Sequence, residues 1–234
     1  MRLSFNSACV LCGDSVSGKI SLCKACKNDL PILEGACKQC GLPFKEAEQC
    51  DSVCGQCIKS PPAVDYTLSV FHYEAPIDFL ITGLKYDQQL PHAAILGELL
   101  LAKVQTHTAE NSLPDCILPV PLHKSRLTKR GFNQSIEIAR DGAKTLNIPI
   151  SLDSVRRKRG TRAQTDLTAV ERKKNMRGCF EMINSNKISN YKHIVILDDV
   201  VTTGSTVNEL AKLLKKSGVE KVGVWSIARA ILIS

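Results

Sequence analysis

A chain of 234 residues, 44% of them hydrophobic, can bury one core of ordinary size plus a small appendage, which excludes disorder over most of its length. Its net charge is +8, and the excess lies in one stretch: residues 122–162 hold 11 Lys or Arg against three acids, while the rest of the chain is balanced. No apolar run reaches the ~20 residues of a membrane helix and MRLSFNSACVLCG lacks the apolar centre of a secretion signal, so a cytoplasmic protein without a membrane span is expected.

The chain opens with cysteines. Of 11 in total, nine precede residue 58, and eight of those form four Cys-x-x-Cys pairs: Cys9/Cys12, Cys23/Cys26, Cys37/Cys40 and Cys54/Cys57. In a reducing compartment this pattern points to metal rather than disulfides. A structural zinc site needs four thiolates in tetrahedral closure, and two such pairs supply them, so two structural zinc ions are expected. Gly13 and Gly41, each following the second cysteine of a pair, let the backbone turn so that amides point at sulfur. The spacing leaves open whether pairs are used consecutively or interleaved, and whether Cys50 replaces Cys54. A redox role fits less well, since redox pairs occur singly beside a βαβ unit. Ser60-Pro61-Pro62 then reads as a linker, giving a zinc-binding domain over 1–60 and a second domain over 63–234.

From there apolar runs alternate with amphipathic ones. Segment 66–73 (YTLSVFHY) predicts a strand, 75–86 and 92–106 two helices, and 116–121 (CILPVP) a buried strand stopped by prolines. Cys116 and Cys179 read as buried apolar residues. Neither His72 nor His92 has ligand spacing to the cysteines, whereas His123 lies inside the basic stretch. Ile136, Ala139, Ala143 and Leu146 fall at helical spacing, predicting a helix over 134–146 entered from a basic loop. Residues 194–197 (IVIL) suit a central strand covered on both faces; Val207, Leu210, Ala211 and Leu214 mark a helix that Gly218 is placed to end; 222–228 (VGVWSIA) predicts a last strand. The alternation implies an α/β domain with a mostly parallel sheet flanked by helices.

In such sheets ligands bind where strand ends meet helix starts. HIVILDDVVTTGSTV (193–207) is a strand, loop and helix of this kind. The loop offers N–H groups, hydroxyls and the positive end of a helix, and Gly204 clears space for a phosphate. Asp198 and Asp199, at the sheet's edge, can accept hydrogen bonds from vicinal ribose hydroxyls. A 5-phosphorylated ribose suits both halves.

This stretch resembles the phosphoribosyl diphosphate (PRPP) signature of type I phosphoribosyltransferases. With Pro119-Val120-Pro121 and RGFNQ (130–134), RRKRGTRAQTDL (156–167) with Arg172, Asn175 and Phe180, and the cysteine module, the chain resembles the ComF family, also called amidophosphoribosyltransferase-like. The resemblance implies a type I phosphoribosyltransferase fold with a small N-terminal zinc module of four-cysteine sites, and PRPP bound with Mg. It assigns Asp198, Asp199, Thr202, Thr203, Gly204, Ser205, Thr206, Val120, Pro121 and Arg130 to PRPP binding. Catalytic roles fall to Asp198, Asp199, Arg156 and Arg157, with 156–164 as a mobile loop over the pyrophosphate. Lys85, in GLKYD, is a candidate to reach the phosphate region. The implied role is in natural transformation or DNA uptake, with single-stranded DNA and other competence-machinery proteins as candidate partners. The alternative is a metabolic transferase moving phosphoribose from PRPP to a base or amine. Amide transfer from glutamine is not expected, because that chemistry needs an N-terminal cysteine nucleophile and here Arg2 follows Met1.

Overall fold

The computed structural model describes residues 7–44, 52–108, 112–158 and 176–231. Its centre is a four-stranded parallel sheet. The strands are β3 (Tyr66–His72), β4 (Cys116–Pro119), β7 (His193–Val201) and β8 (Lys221–Arg229), in the order β3-β8-β7-β4. Ile150 bridges Ile117 in parallel and prolongs the sheet past β4. The inner strands β7 and β8 are buried along nearly their whole length, as sheets covered on both faces require. Two carboxylates tie down strand starts: Asp115 accepts from the His193 amide (2.8 Å) and Asp65 from the Val222 amide (2.6 Å).

Alternate residues of β7 and β8 feed two apolar layers. Val195, Leu197, Trp225 and Ile227 pack with helices α3 (Ile77–Tyr86), α4 (Leu90–Thr108) and α6 (Gln134–Leu146). Ile194, Ile196, Val222 and Val224 pack with α8 (Ser205–Lys216), the short α7 (Ser185–Ile188), and the antiparallel pair β5 (Val155–Arg157) and β6 (Phe180–Met182). Helices α4 and α6 approach closely at Gly97, where an added Cβ would lie 2.7 Å from the Ile138 carbonyl oxygen. Asn133 caps α6 by accepting from the Ser135 amide at 3.0 Å, and Asn147 ends it in the left-handed region. Cys116 and Cys179 are fully buried, and His92 is a core residue whose Nδ1 lies 3.0 Å from the Leu80 carbonyl.

The N-terminal module, with β1 (Ser7–Ala8), β2 (Ser15–Val16), α1 (Lys24–Asn28) and α2 (Gly55–Lys59), leans on this frame. Cys9, Val16, Leu22 and Leu30 share the apolar layer of α3 and α4. Residues 31–33 run antiparallel to β3, with Leu33 donating to the Val70 carbonyl and His72 to that of Pro31, so the outer edge of the sheet is covered. Gly41 sits so near β3 that a Cβ would fall 2.8 Å from the Thr67 methyl.

Three details differ from the sequence reading. Strand β4 ends at Pro119, before Val120 and Pro121. Residues 155–157, of which the resemblance places 156 and 157 in a mobile loop, form a strand paired with 180–182, while Arg159, Arg162, Arg172 and Asn175 lie outside the described residues, as does Cys50. Asp198 and Asp199 do not lie where the chain leaves the sheet. Strand β7 continues through them, with Asp198 opposite Ser226 and Val200 opposite Ala228, because Val200 and Val201 still find partners on β8.

Candidate functional site

The C-terminal end of β7 gathers side chains from four elements. Asp199 is 4% exposed and forms an ion pair with Lys85, which α3 sends inward. Burial pushes the Asp199 carboxyl up, but the Lys85 ammonium, joined by the Asp198 and Gln134 side chains, brings it below the usual carboxylate range. Asp198 is left in the opposite state: burial first, then the charge of Asp199, push its carboxyl well above that range. Its Oδ1 accepts from the Asp199 amide at 3.0 Å. A carboxylate whose charge is disfavoured is relieved by hydroxyl donors or by a divalent cation, so the pair fits a ribose diol and its accompanying magnesium.

The rim is cationic. Arg130, at the end of α5 (Lys124–Arg130), donates to the Gln134 side chain and lies over the Tyr86 ring at 5.8 Å. Burial lowers its pKa, and the charge of Asp199 raises it. The Gln134 side chain in turn helps hold the Asp199 carboxylate, so RGFNQ reaches the acids through its last residue as well as its first. Val120, just past β4, donates to the Leu197 carbonyl (2.9 Å), and its own carbonyl accepts from the Asn133 side chain (3.0 Å), which ties Val120 and Pro121 to the start of α6. His123 caps α5, its Nδ1 accepting from the Ser125 amide at 3.3 Å.

Beyond the acids, the loop at 202–206 leads into α8. Gly204 caps that helix with φ +71°, and an added Cβ there would meet nothing within 4 Å. The open space in front of the helix start suits a phosphate, and the left-handed backbone explains why glycine stands there. Thr203 and Ser205 bond each other (2.8 Å), while Thr202 and Thr206 flank them, partly exposed.

The two arginines of β5 part company. Arg157 is buried over the Phe180 ring (5.7 Å); burial lowers its pKa, and Asp198 is among the charges that oppose this. Arg156 points the other way into an ion pair with Glu181, which also holds Lys158 at 2.7 Å. Arg156 is thus not brought to the acidic pair.

The cysteines form two sets: Cys9, Cys12, Cys23 and Cys26, and Cys37, Cys40, Cys54 and Cys57, with all sulfurs of a set within 4.8 Å of one another. The pairs are therefore used consecutively, not interleaved. Sulfur separations of 3.7 Å (Cys12 to Cys23) and 3.8 Å (Cys40 to Cys54) match the roughly 3.8 Å edge of a tetrahedron built on Zn–S bonds of about 2.3 Å. Backbone amides aim at the thiolates, Cys23 donating to Cys9 at 3.4 Å and Cys54 to Cys37 at 3.3 Å. Burial pushes the Cys9 and Cys37 thiols up, yet these and neighbouring amides bring them down to about 6 and about 7. Both sets fit zinc.

A double zinc ribbon domain model matches residues 1–60, and a phosphoribosyl transferase domain model matches residues 133–231. The chain is 34% identical to competence protein F of Haemophilus influenzae, covering 97% of this chain and 98% of that protein. It is 35% identical to DNA utilization protein YhgH of Escherichia coli (98% and 100%) and 26% identical to competence protein ComFC of Streptococcus pneumoniae (94% and 99%). With structural zinc in a double ribbon, a parallel phosphoribosyltransferase sheet and full-length relatives of this kind, the chain belongs to the ComF family.

Proposed function

We propose that this protein binds PRPP with magnesium at the end of β7 and uses that site in competence or DNA utilization, with single-stranded DNA as its macromolecular partner. The observation that carries the reading is the buried Asp199–Lys85 ion pair beside Asp198 on β7, the strand that leads through the Gly204 loop into α8. Asp198 and Asp199 accept the ribose hydroxyls. The start of α8 takes the 5-phosphate, and Val120, Pro121 and Arg130 face the pyrophosphate, with Arg157 adding positive charge beside Asp198. Magnesium, when bound with PRPP, would neutralise charge on the pyrophosphate, with Asp198 and Asp199 the residues placed to hold it.

Calorimetry tests this. Exchanging both acids for amides, Asp198→Asn with Asp199→Asn, removes two charged acceptors worth about 1.5–3 kcal/mol each, so PRPP affinity should fall at least roughly tenfold while the melting curve stays cooperative. Equal affinity in the variant rejects the site.

The relatives' names favour a DNA role over a purely metabolic transfer, and the surface supports it: Lys124 and Lys129 on α5 are exposed beside the site. No helix among the described residues is long and apolar enough to cross a membrane, which is compatible with action in the cytoplasm. Affinity for an oligothymidylate measured from about 50 to about 200 mM salt should fall steeply, and Lys124→Gln with Lys129→Gln should flatten the slope by about one to two phosphate contacts. No binding, or an unchanged slope, removes α5 from the DNA interface.

A further inference from the structure

Arg229 ends β8, between His72 of β3 and Val201 of β7, and is 6% exposed. Among the described residues its guanidinium pairs with no carboxylate; it is spent on backbone carbonyls in two directions. Nε donates to the carbonyl of Cys40 at 3.0 Å. Nη1 donates to the carbonyls of Val201 (3.1 Å), Ala230 (2.7 Å) and Thr202. Cys40 is a ligand of the second cysteine set, and Thr202 is the first residue of the hydroxyl loop. One buried side chain therefore spans the distance between the two.

Burying a guanidinium away from carboxylates is costly, and here its donors are met by four backbone carbonyls, one of them on a residue of the second cysteine set. A zinc ion with four thiolates keeps a net charge of about −2, which leaves the second cluster anionic and able to hold the arginine in place. The first cluster has a different neighbour, facing α4 through the Lys19–Glu98 ion pair (2.7 Å). A planar fork with donors on two sides can reach both Cys40 and Thr202, whereas an ammonium concentrates its donors at one point.

We propose that Arg229 is a positioning residue that makes the second zinc cluster part of the phosphate site: metal in that cluster fixes the Cys40 carbonyl, and the guanidinium passes this order to the carbonyls from which the 202–206 loop departs. The proposal rests on the reading of that loop as the PRPP phosphate site. Coupling of this kind is reciprocal, so ligand in the loop must stabilise metal in the second cluster and leave the first unaffected.

Two measurements on the full zinc-loaded chain test it. Hydrogen exchange needs no PRPP: Arg229→Lys should raise exchange at the 202–206 amides by roughly fivefold or more with α6 unchanged, and so should partial zinc withdrawal from the unmodified chain once the second cluster empties. In the other arm, a chelator and a thiol alkylating agent follow each cluster separately, through the cysteine peptides that become labelled. Saturating PRPP with magnesium should slow opening of the Cys37 set roughly fivefold or more and leave the Cys9 set unchanged, and Arg229→Lys should abolish the difference. Equal slowing of both clusters would mean general stabilisation and overturn the strap, as would loop exchange indifferent to both Arg229→Lys and zinc withdrawal. Should PRPP not bind at all, the phosphate reading fails while the exchange arm still decides the strap. Should Arg229→Lys not fold, the withdrawal experiment on the unmodified chain decides alone.

Discussion

The cysteine clusters and the Asp198–Asp199 pair are both gatherings of acidic groups, and they settle their repulsion in opposite ways. Around the thiols, backbone amides converge and the sulfurs lie at tetrahedral separation, so four ligands close on one ion and leave no position free. Toward the end of β7, Lys85 neutralises Asp199, while Asp198 keeps a carboxyl whose charge is disfavoured. The first arrangement brings four ligands around one point; the second pairs one acid with a lysine and leaves the other with its charge disfavoured.

The sharpest way to break this contrast is to open a closed site. Cys37→Ser removes one ligand from a cluster whose metal contributes on the order of 10 kcal/mol to the folding of so small a module. Metal analysis should find one zinc where the unaltered chain holds two, with the second knuckle protease-sensitive. Two zincs retained would show that the cluster is not closed by these four sulfurs.

Next in size is the charge pair. Lys85→Ala leaves Asp199 buried without its counterion and should cost roughly 3–5 kcal/mol in denaturant melts, most of it recovered by adding Asp199→Asn. The sign with pH follows from the lowered Asp199 carboxyl: its contribution is complete above the unfolded value of about 3.9 and is lost as pH falls through the lower folded value. A Lys85→Ala chain that melts like the original would mean that the acids do not depend on Lys85.

The smallest effect has the opposite sign. Asp198→Asn removes a charge that burial and Asp199 both disfavour, so the ligand-free chain should melt higher, by roughly 2–4 °C for each kcal/mol relieved. The same change should weaken PRPP binding. A variant that melts lower would place Asp198 among the groups that hold the fold.

Where side chains bond side chains or follow a period, the sequence is readable. The four knuckle pairs, the apolar run of β7 and the helical spacing of α6 all lead to the observed elements, and the PRPP-like stretch leads to the strand-to-helix turn with Gly204 at its left-handed cap. Lys85 could be singled out as a charge inside an apolar helix face, though its pairing with Asp199 rather than with phosphate needs the fold. Arg156 and Arg157 are indistinguishable as letters, and strand alternation sends one to Glu181 and the other inward. Arg229 left no signal, because its acceptors are backbone carbonyls, which every residue carries. Consecutive use of the cysteine pairs depends likewise on how the knuckles fold back on each other.

The most direct measurement is a crystal structure of the zinc-loaded chain with PRPP and magnesium. The account predicts ribose hydroxyls on the Asp198 and Asp199 carboxylates and the 5-phosphate on the amides of 202–206. PRPP seated away from β7, or a phosphate at that turn with the sugar pointing away from both acids, would contradict it.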